Sequence, residues 1–210
     1  VVSLPMHFKN NGFYTVSLGK VYHHSNDGKG SWSEKPWAPS GEWKGWQAYV
    51  LPESHRQIEP RNNGNGINGP SFEWPDGPDH IYPDGLIAEE AVRRLRNFKT
   101  TDQPFFLAVG FLKPHLPFNA PKKYWEMYDF DKIRLPDYMK KPLNAPGECM
   151  HNFGELRNYT DVPDQGELDE DFMRKLIHGY YACVSYTDAQ IGKVLDELER
   201  KGLTENTFVL

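Results

Sequence analysis

The run Pro104-Phe105-Phe106-Leu107-Ala108-Val109-Gly110-Phe111 constrains the fold more than any other stretch of the chain. It is apolar throughout, without the strict alternation of a half-solvated strand, and it is bounded by proline and lysine. Such a run reads as a central parallel strand covered on both faces. Parallel strands need crossover helices between them, and the flanking sequence supplies them. Asp84 to Phe98 reads as a helix with Asp84 as N-cap, Glu89 and Glu90 early, and Arg93, Arg94 and Arg96 late, as the helix dipole prefers. Ile87, Ala91, Leu95 and Phe98 make its apolar stripe. Leu4 to Asn11 reads as a short amphipathic helix, stopped by Asn11-Gly12 and feeding a strand over Tyr14 to Leu18.

The second half of the chain continues the pattern. Pro121 to Tyr128 reads as a short helix with proline in its first turn. Glu167 to Lys201 reads as a long helix with acids at its start, bases at its end and Gly202 as its cap. Phe172, Leu176, Tyr180, Cys183, Thr187, Ile191, Val194 and Leu198 trace its stripe. Thr207 to Leu210 then reads as the start of another buried strand. Alternation of this kind predicts an α/β fold, a mostly parallel central sheet flanked by helices, incomplete at both ends of the chain.

In such folds ligands bind outside the carboxyl ends of the strands. Two strands here end in the same way. Gly12 to Leu18 runs into Gly19-Lys20-Val21-Tyr22-His23-His24, and the apolar run ends in Leu112-Lys113-Pro114-His115-Leu116-Pro117-Phe118. A lysine and a histidine at each of two strand ends make a candidate shared site for an anion. Between them, residues 24–83 are rich in Gly, Pro, Asn and Trp and hold no lasting period. The aromatics set this stretch apart from a disordered linker and predict an ordered insertion on the carboxyl edge of the sheet. Its Trp and Tyr faces either stack on a sugar ring or anchor a long loop to the body.

Composition excludes several classes. A net charge of −5 without a basic stripe gives no nucleic-acid footprint, and the apolar runs are too short to span a bilayer. The two cysteines, Cys149 and Cys183, fit neither a disulfide framework nor a metal-ligand spacing. Cys183 lies in an apolar helical run and reads as a packed thiol, whereas Cys149 lies in a loop. Asn158-Tyr159-Thr160 is a glycosylation sequon by pattern alone.

At these residues the chain resembles a known family. Gly12-Phe13-Tyr14-Thr15 through Gly19-Lys20-Val21-Tyr22-His23 is similar to the second signature of type I, formylglycine-dependent sulfatases, of the alkaline-phosphatase-like superfamily. Phe13 and Leu18 depart from its strictest form but keep the strand apolar. Lys113-Pro114-His115 with Pro117-Phe118 resembles the iduronate-2-sulfatase-like branch, and Tyr180 to Leu210 looks like the helix ahead of the family's metal-binding turn. The resemblance implies the central part of one sulfatase catalytic domain over residues 1–210, with the Trp-rich insertion at 24–83. It implies Lys20, His23 and His115 as catalytic residues, His115 as general acid, and Lys113, His24 and His80 as substrate-binding candidates. It further implies a sulfated carbohydrate substrate and a secreted, periplasmic or lysosomal setting.

The same resemblance implies calcium and a formylglycine made from a cysteine. Neither cysteine here stands in the Cys-x-Pro-Ser-Arg context that the modification uses, so ligands and nucleophile are expected in the flanking N- and C-terminal parts of the protein. Two other readings stay open from the residues alone. One is a phosphodiesterase or phosphomutase of the same superfamily; the other is a non-catalytic sugar-binding segment built on the Trp-rich loop.

Overall fold

The computed structural model describes residues 2–23, 28–40, 48–60, 67–98, 103–150 and 153–210. By its contacts the chain divides into two compact units. Val1–Ser40, Pro78–Lys113 and Tyr186–Leu210 form the first, and Gly41–Gly77 with Pro114–Ser185 form the second.

In the first unit, helix α1 (Leu4–Asn10) begins at Ser3, whose hydroxyl accepts from the Met6 N–H at 3.3 Å. It ends before Gly12, where a φ of +88° is open to glycine at no steric cost. Its Phe8 packs edge-on against Phe13 and stacks on Phe106, whereas Leu4 is exposed. Strand β1 (Tyr14–Gly19) follows, as the apolar β-branched run predicts. It pairs in parallel with β5 (Phe105–Gly110), in register from Tyr14 opposite Phe105 to Gly19 opposite Gly110. Helix α3 (Pro83–Asn97) makes the crossover and lays Ile87 and Ala91 on Val16 and Leu18, all fully buried. Burial of an Ile or Leu side chain stabilises by about 1.5–3 kcal/mol, so this small cluster holds the sheet to its helix.

Two expectations change here. β5 is half-buried at every position rather than covered on both faces, because β1 is its only ladder partner among the described residues. Thr207 to Leu210 forms no strand: no described strand pairs with it, and Phe208 and Leu210 stand in solvent. The insertion also departs from its expected place. Residues 31–37 run along the length of β1, with Ser33 N–H donating to Thr15 O, Trp37 N–H to Ser17 O, and Gly19 N–H to Trp37 O.

The second unit holds the rest of the insertion. It contains α2 (Pro52–Arg56), the antiparallel pair β2 (Glu59–Pro60) and β3 (Ile67–Asn68), and β4 (Phe72–Glu73) parallel to β6 (Phe118–Asn119). Buried polar side chains take the place of regular structure. Glu73 accepts from the Val50 and Leu51 N–H groups, and Asp161 accepts from the N–H and hydroxyl of Ser71. The Tyr49 hydroxyl donates to Pro70 O and accepts from the Gly69 N–H. Asn158 is buried, so the sequon offers no accessible acceptor here. Helix α4 (Lys122–Trp125) is shorter than expected, with Pro121 as its cap residue.

Helix α5 (Glu170–Arg200) contributes to the second unit through Ser185 and to the first from Tyr186. Asp169 caps it, its Oδ1 accepting from the Phe172 N–H at 2.8 Å. Its buried line differs from the apolar stripe read in the sequence. Ala182, Cys183, Tyr186, Gln190, Glu197 and Leu198 are buried, whereas Tyr180 and Ile191 are exposed. Polar Gln190 and Glu197 are tolerated inside because each is hydrogen-bonded: the Gln190 amide to Tyr186 O, and the Glu197 carboxylate to Arg200 and Arg96.

Candidate active site

Two glycines bring the strand ends together. Gly19, at a φ of +69°, stands opposite Gly110, and a Cβ on Gly19 would lie 2.2 Å from Gly110 O. A Cβ on Gly110 would lie 2.1 Å from Lys20 O. No side chain fits between the two backbones, so the close approach requires glycine at both positions. The Lys20 N–H donates to Gly110 O at 2.8 Å, which fixes the lysine at the carboxyl end of β1 with its side chain in solvent. His23 follows three residues on and is also exposed.

The end of β5 is held from two sides. The Asp84 carboxylate, 1% exposed, accepts from the Leu112 N–H and the Lys113 N–H, both at 2.8 Å. The Thr187 hydroxyl donates to Lys113 O at 3.2 Å. Asp84 is therefore not the N-cap of α3 that its position suggests. Tyr82 occupies that place without a side-chain bond, and Asp84 spends both oxygens on the strand end. Burial pushes the Asp84 carboxyl above its ordinary range, opposed by the two N–H donors and the Lys113 charge.

A second knot lies behind α3. The Tyr186 hydroxyl, fully buried, accepts from the Gly85 N–H at 2.7 Å and donates to Asp79 O at 2.8 Å. Lys193 donates to Asp79 Oδ2 at 2.5 Å and to Gln190 Oε1 at 2.7 Å. These contacts fix the turn that starts α3, and with it Asp84.

The other candidates are dispersed. His80 is exposed in the 3-10 turn Asp79–Ile81, with Nδ1 3.0 Å from Glu89 Oε1. His115 belongs to the second unit, two residues along the chain from Lys113. Its Nδ1 donates to Leu116 O at 2.7 Å, and its Nε2 lies 3.3 Å from Glu155 Oε1. His24 lies outside the described residues. Asp84, Thr187 and Gly110 were missed as site-forming residues by sequence reasoning. Only Gly110 carried a signal, as the single glycine in an apolar run just ahead of a lysine.

Comparison with known proteins decides the family. The sulfatase family model matches residues 1–210, the whole chain. The chain belongs to the sulfatase family. Iduronate 2-sulfatase of Mus musculus is 35% identical, matching 99% of this chain and 38% of that protein. The Homo sapiens iduronate 2-sulfatase is 32% identical with the same coverage. A sulfatase of Formosa agariphila is 28% identical over 100% of the chain and 40% of its own length. The chain thus spans about two fifths of these sulfatases. The α/β architecture, with parallel strands crossed by a helix, agrees with the alkaline-phosphatase-like sandwich expected of the family.

Sulfatases use a formylglycine and a divalent metal. Among the described residues no three His, Cys, Asp or Glu side chains are grouped to hold a metal ion. Cys183 is buried, with Sγ 3.8 Å from Asn119 O, and Cys149 sits exposed in the 3-10 turn Gly147–Cys149. The described residues do not fit either group.

Proposed function

We propose that the protein carrying this chain is a sulfuric-ester hydrolase acting on a sulfated carbohydrate, with Lys20, His23 and His115 as its catalytic residues within this segment. One observation carries the reading. The adjacent parallel strands β1 and β5 end at a glycine pair and lead at once into Lys20 and, two residues past Phe111, into Lys113. A sulfate ester bears its charge on non-bridging oxygens, and cations held by rigid backbone stabilise that charge as the S–O bond to the alcohol lengthens. Lys20 and His23 bind those oxygens. Lys113, oriented through its backbone by Asp84 and Thr187, takes a sulfate or carboxylate of the substrate, and His24 and His80 are further contacts from the loop. Water adds its oxygen to sulfur over the reaction, the bridging S–O bond breaks, and the departing alkoxide needs a proton. His115 supplies it from an imidazole nitrogen. The nucleophile and the metal come from the flanking parts of the protein, whose setting is secreted, periplasmic or lysosomal.

The test uses the full-length protein and two esters, a sulfated sugar and an aryl sulfate with a far better leaving group. Lys20→Ala should lower kcat/KM on both by about 100- to 1,000-fold. His115→Ala should lower it by about 100-fold or more on the sugar ester and by much less on the aryl ester, which leaves without a proton. Equal losses on both esters would remove His115 from the acid role. Hydrolysis of a phosphodiester by the wild type, with no action on either sulfate, would replace this reading with the phosphodiesterase one.

A further inference from the structure

In the second unit, residues 134–146 link two anchored points. Ile133, 8% exposed, holds the start, and the buried Asn158 and Tyr159 hold the return. From Arg134 to Asn144 no N–H makes a backbone hydrogen bond among the described residues, and the next one, Ala145 N–H to Pro142 O, is long at 3.4 Å. The stretch has neither helix nor strand before the 3-10 turn Gly147–Cys149. Its apolar side chains stand in water: Tyr138 is 65% exposed, Met139 58% and Leu143 91%. Lys140 and Lys141 are exposed between them, and no ion pair or hydrogen bond among the described residues holds either one.

An endopeptidase binds its substrate as an extended strand over several residues. It cuts a folded protein where backbone groups are unengaged and side chains leave the surface at little cost. Tyr138 to Leu143 meets both conditions, and the basic residues on either side of it do not. Lys132 ends the turn Phe130–Lys132, 3.0 Å from Asp129 Oδ2, and the residue after it is the buried Ile133. Arg134 is exposed but stands between Ile133 and the half-buried Leu135. Arg157 gives both ends of its guanidinium to carbonyls, Pro163 O and Gly166 O, each at 2.7 Å. Lys141 is followed by Pro142, whose ring nitrogen has no N–H and whose fixed φ keeps the Lys141–Pro142 bond out of a serine-protease cleft. Only the bond after Lys140 combines a basic side chain, an acceptable next residue and an open backbone.

We infer that Lys140–Lys141 is a site of limited proteolysis by a trypsin-like serine endopeptidase, and that the cut turns the chain into two polypeptides that stay together. The Lys140 ammonium fills a specificity pocket that ends in a carboxylate. Water adds across the amide, the C–N bond breaks, and a carboxylate on Lys140 and an ammonium on Lys141 result. Contacts inside each unit hold the products. In the second unit the Ser71 N–H and hydroxyl both donate to the Asp161 carboxylate at 2.8 Å, and the His178 Nε2 donates to Trp125 O at 2.8 Å. The Tyr128 and Ser185 hydroxyls share a hydrogen bond at 2.5 Å. In the first unit Tyr186 and Lys193 hold Gly85 and Asp79. The cut removes a connection and none of these buried or half-buried contacts.

The experiment treats the full-length protein with a trace of trypsin under native conditions. Products are followed by denaturing gel, N-terminal sequencing and size exclusion. The expected first product begins Lys141-Pro142-Leu143-Asn144, and both products elute together at the volume of the uncut protein. Lys140→Gln removes the charge that the protease reads and should slow the first cut by about 100-fold or more. Lys141→Pro keeps that charge but closes the bond, and it should protect equally; the Lys141 N–H has no backbone partner to lose. A first cut at another bond overturns the inference. So does a chain left whole under conditions that digest a denatured sample, a first cut as fast in either variant as in the wild type, or products that part without denaturant. No arm of the experiment measures ester hydrolysis, so its outcome is separate from that of the sulfatase reading.

Discussion

Asp84 shows how one buried carboxylate can serve a site it does not touch. Its two oxygens meet the N–H groups of Leu112 and Lys113, the last step before the candidate cation. Asp84→Asn keeps one acceptor oxygen but turns an NH₂ group toward the other N–H. It should destabilise the full-length protein by about 1–3 kcal/mol, and an unchanged denaturation midpoint would refute the clamp. Glu90 makes a different prediction. Burial raises its carboxyl pKa, but hydrogen bonds and charge from Arg93 and Arg94 outweigh that and leave it below the ordinary glutamate range. The folded chain then holds this proton less tightly than the unfolded chain. The stability it contributes is complete above the ordinary carboxylate range and is lost as pH falls through the lowered folded value. Melting temperature of the full-length protein followed from neutral into acid should fall less steeply in Glu90→Gln than in the wild type. Parallel curves would dismiss the Arg93–Glu90–Arg94 cluster as a stabiliser.

At the scale of elements, helices and parallel strands were legible because each has a local cause. The stripe Ile87, Ala91, Leu95 and the stop at Gly12 decide α3 and the end of α1 without help from the rest of the chain. What could not be read depends on partners distant in sequence. Asp84 looks like an N-cap until the strand end that it holds, 28 residues later, is known. The buried line of α5 runs through Gln190 and Glu197 because each finds a specific partner, which no hydropathy pattern encodes. Thr207 to Leu210 has strand composition but no neighbour to pair with among the described residues. The site was half legible: Lys20 and Lys113 stand out as residues, whereas the Gly19–Gly110 contact that joins their strands does not. That contact is testable. Gly110→Ala drives a methyl group into Lys20 O and should cost about 1–3 kcal/mol or more. Gly192→Ala, in α5 with nothing within 4 Å of the added carbon, should instead stabilise by about 1 kcal/mol. Equal effects of the two substitutions on the denaturation midpoint would mean that the strand ends yield without strain.

For the molecule as a whole, the telling feature is apolar surface that the described residues leave exposed. Tyr180, Val184, Ile191 and Leu195 are each more than 40% exposed, and their spacings of four, seven and four put them on one face of α5. Phe208 and Leu210 are exposed almost completely. Single exposed apolar residues are ordinary, but four on one helix face, with the exposed Asp188 between Val184 and Ile191, make the pattern of a face that packs against something. The matched sulfatases are more than twice as long as this chain, so sequence able to cover such a face exists in those relatives. Residues 1–210 produced alone should therefore self-associate and bind a hydrophobic dye, while the full-length protein should do neither. Replacing Val184, Ile191 and Leu195 together with lysine separates this face from the terminal residues. The triple variant of the short chain should run as a monomer by light scattering, since the replaced side chains are each more than 40% exposed and none belongs to the buried core. The same variant of the full-length protein should lose stability, because charge would then be placed where apolar contact is made. A short chain that is monomeric and dye-free as the wild type would show that the face is stable in water and has no covering segment to find.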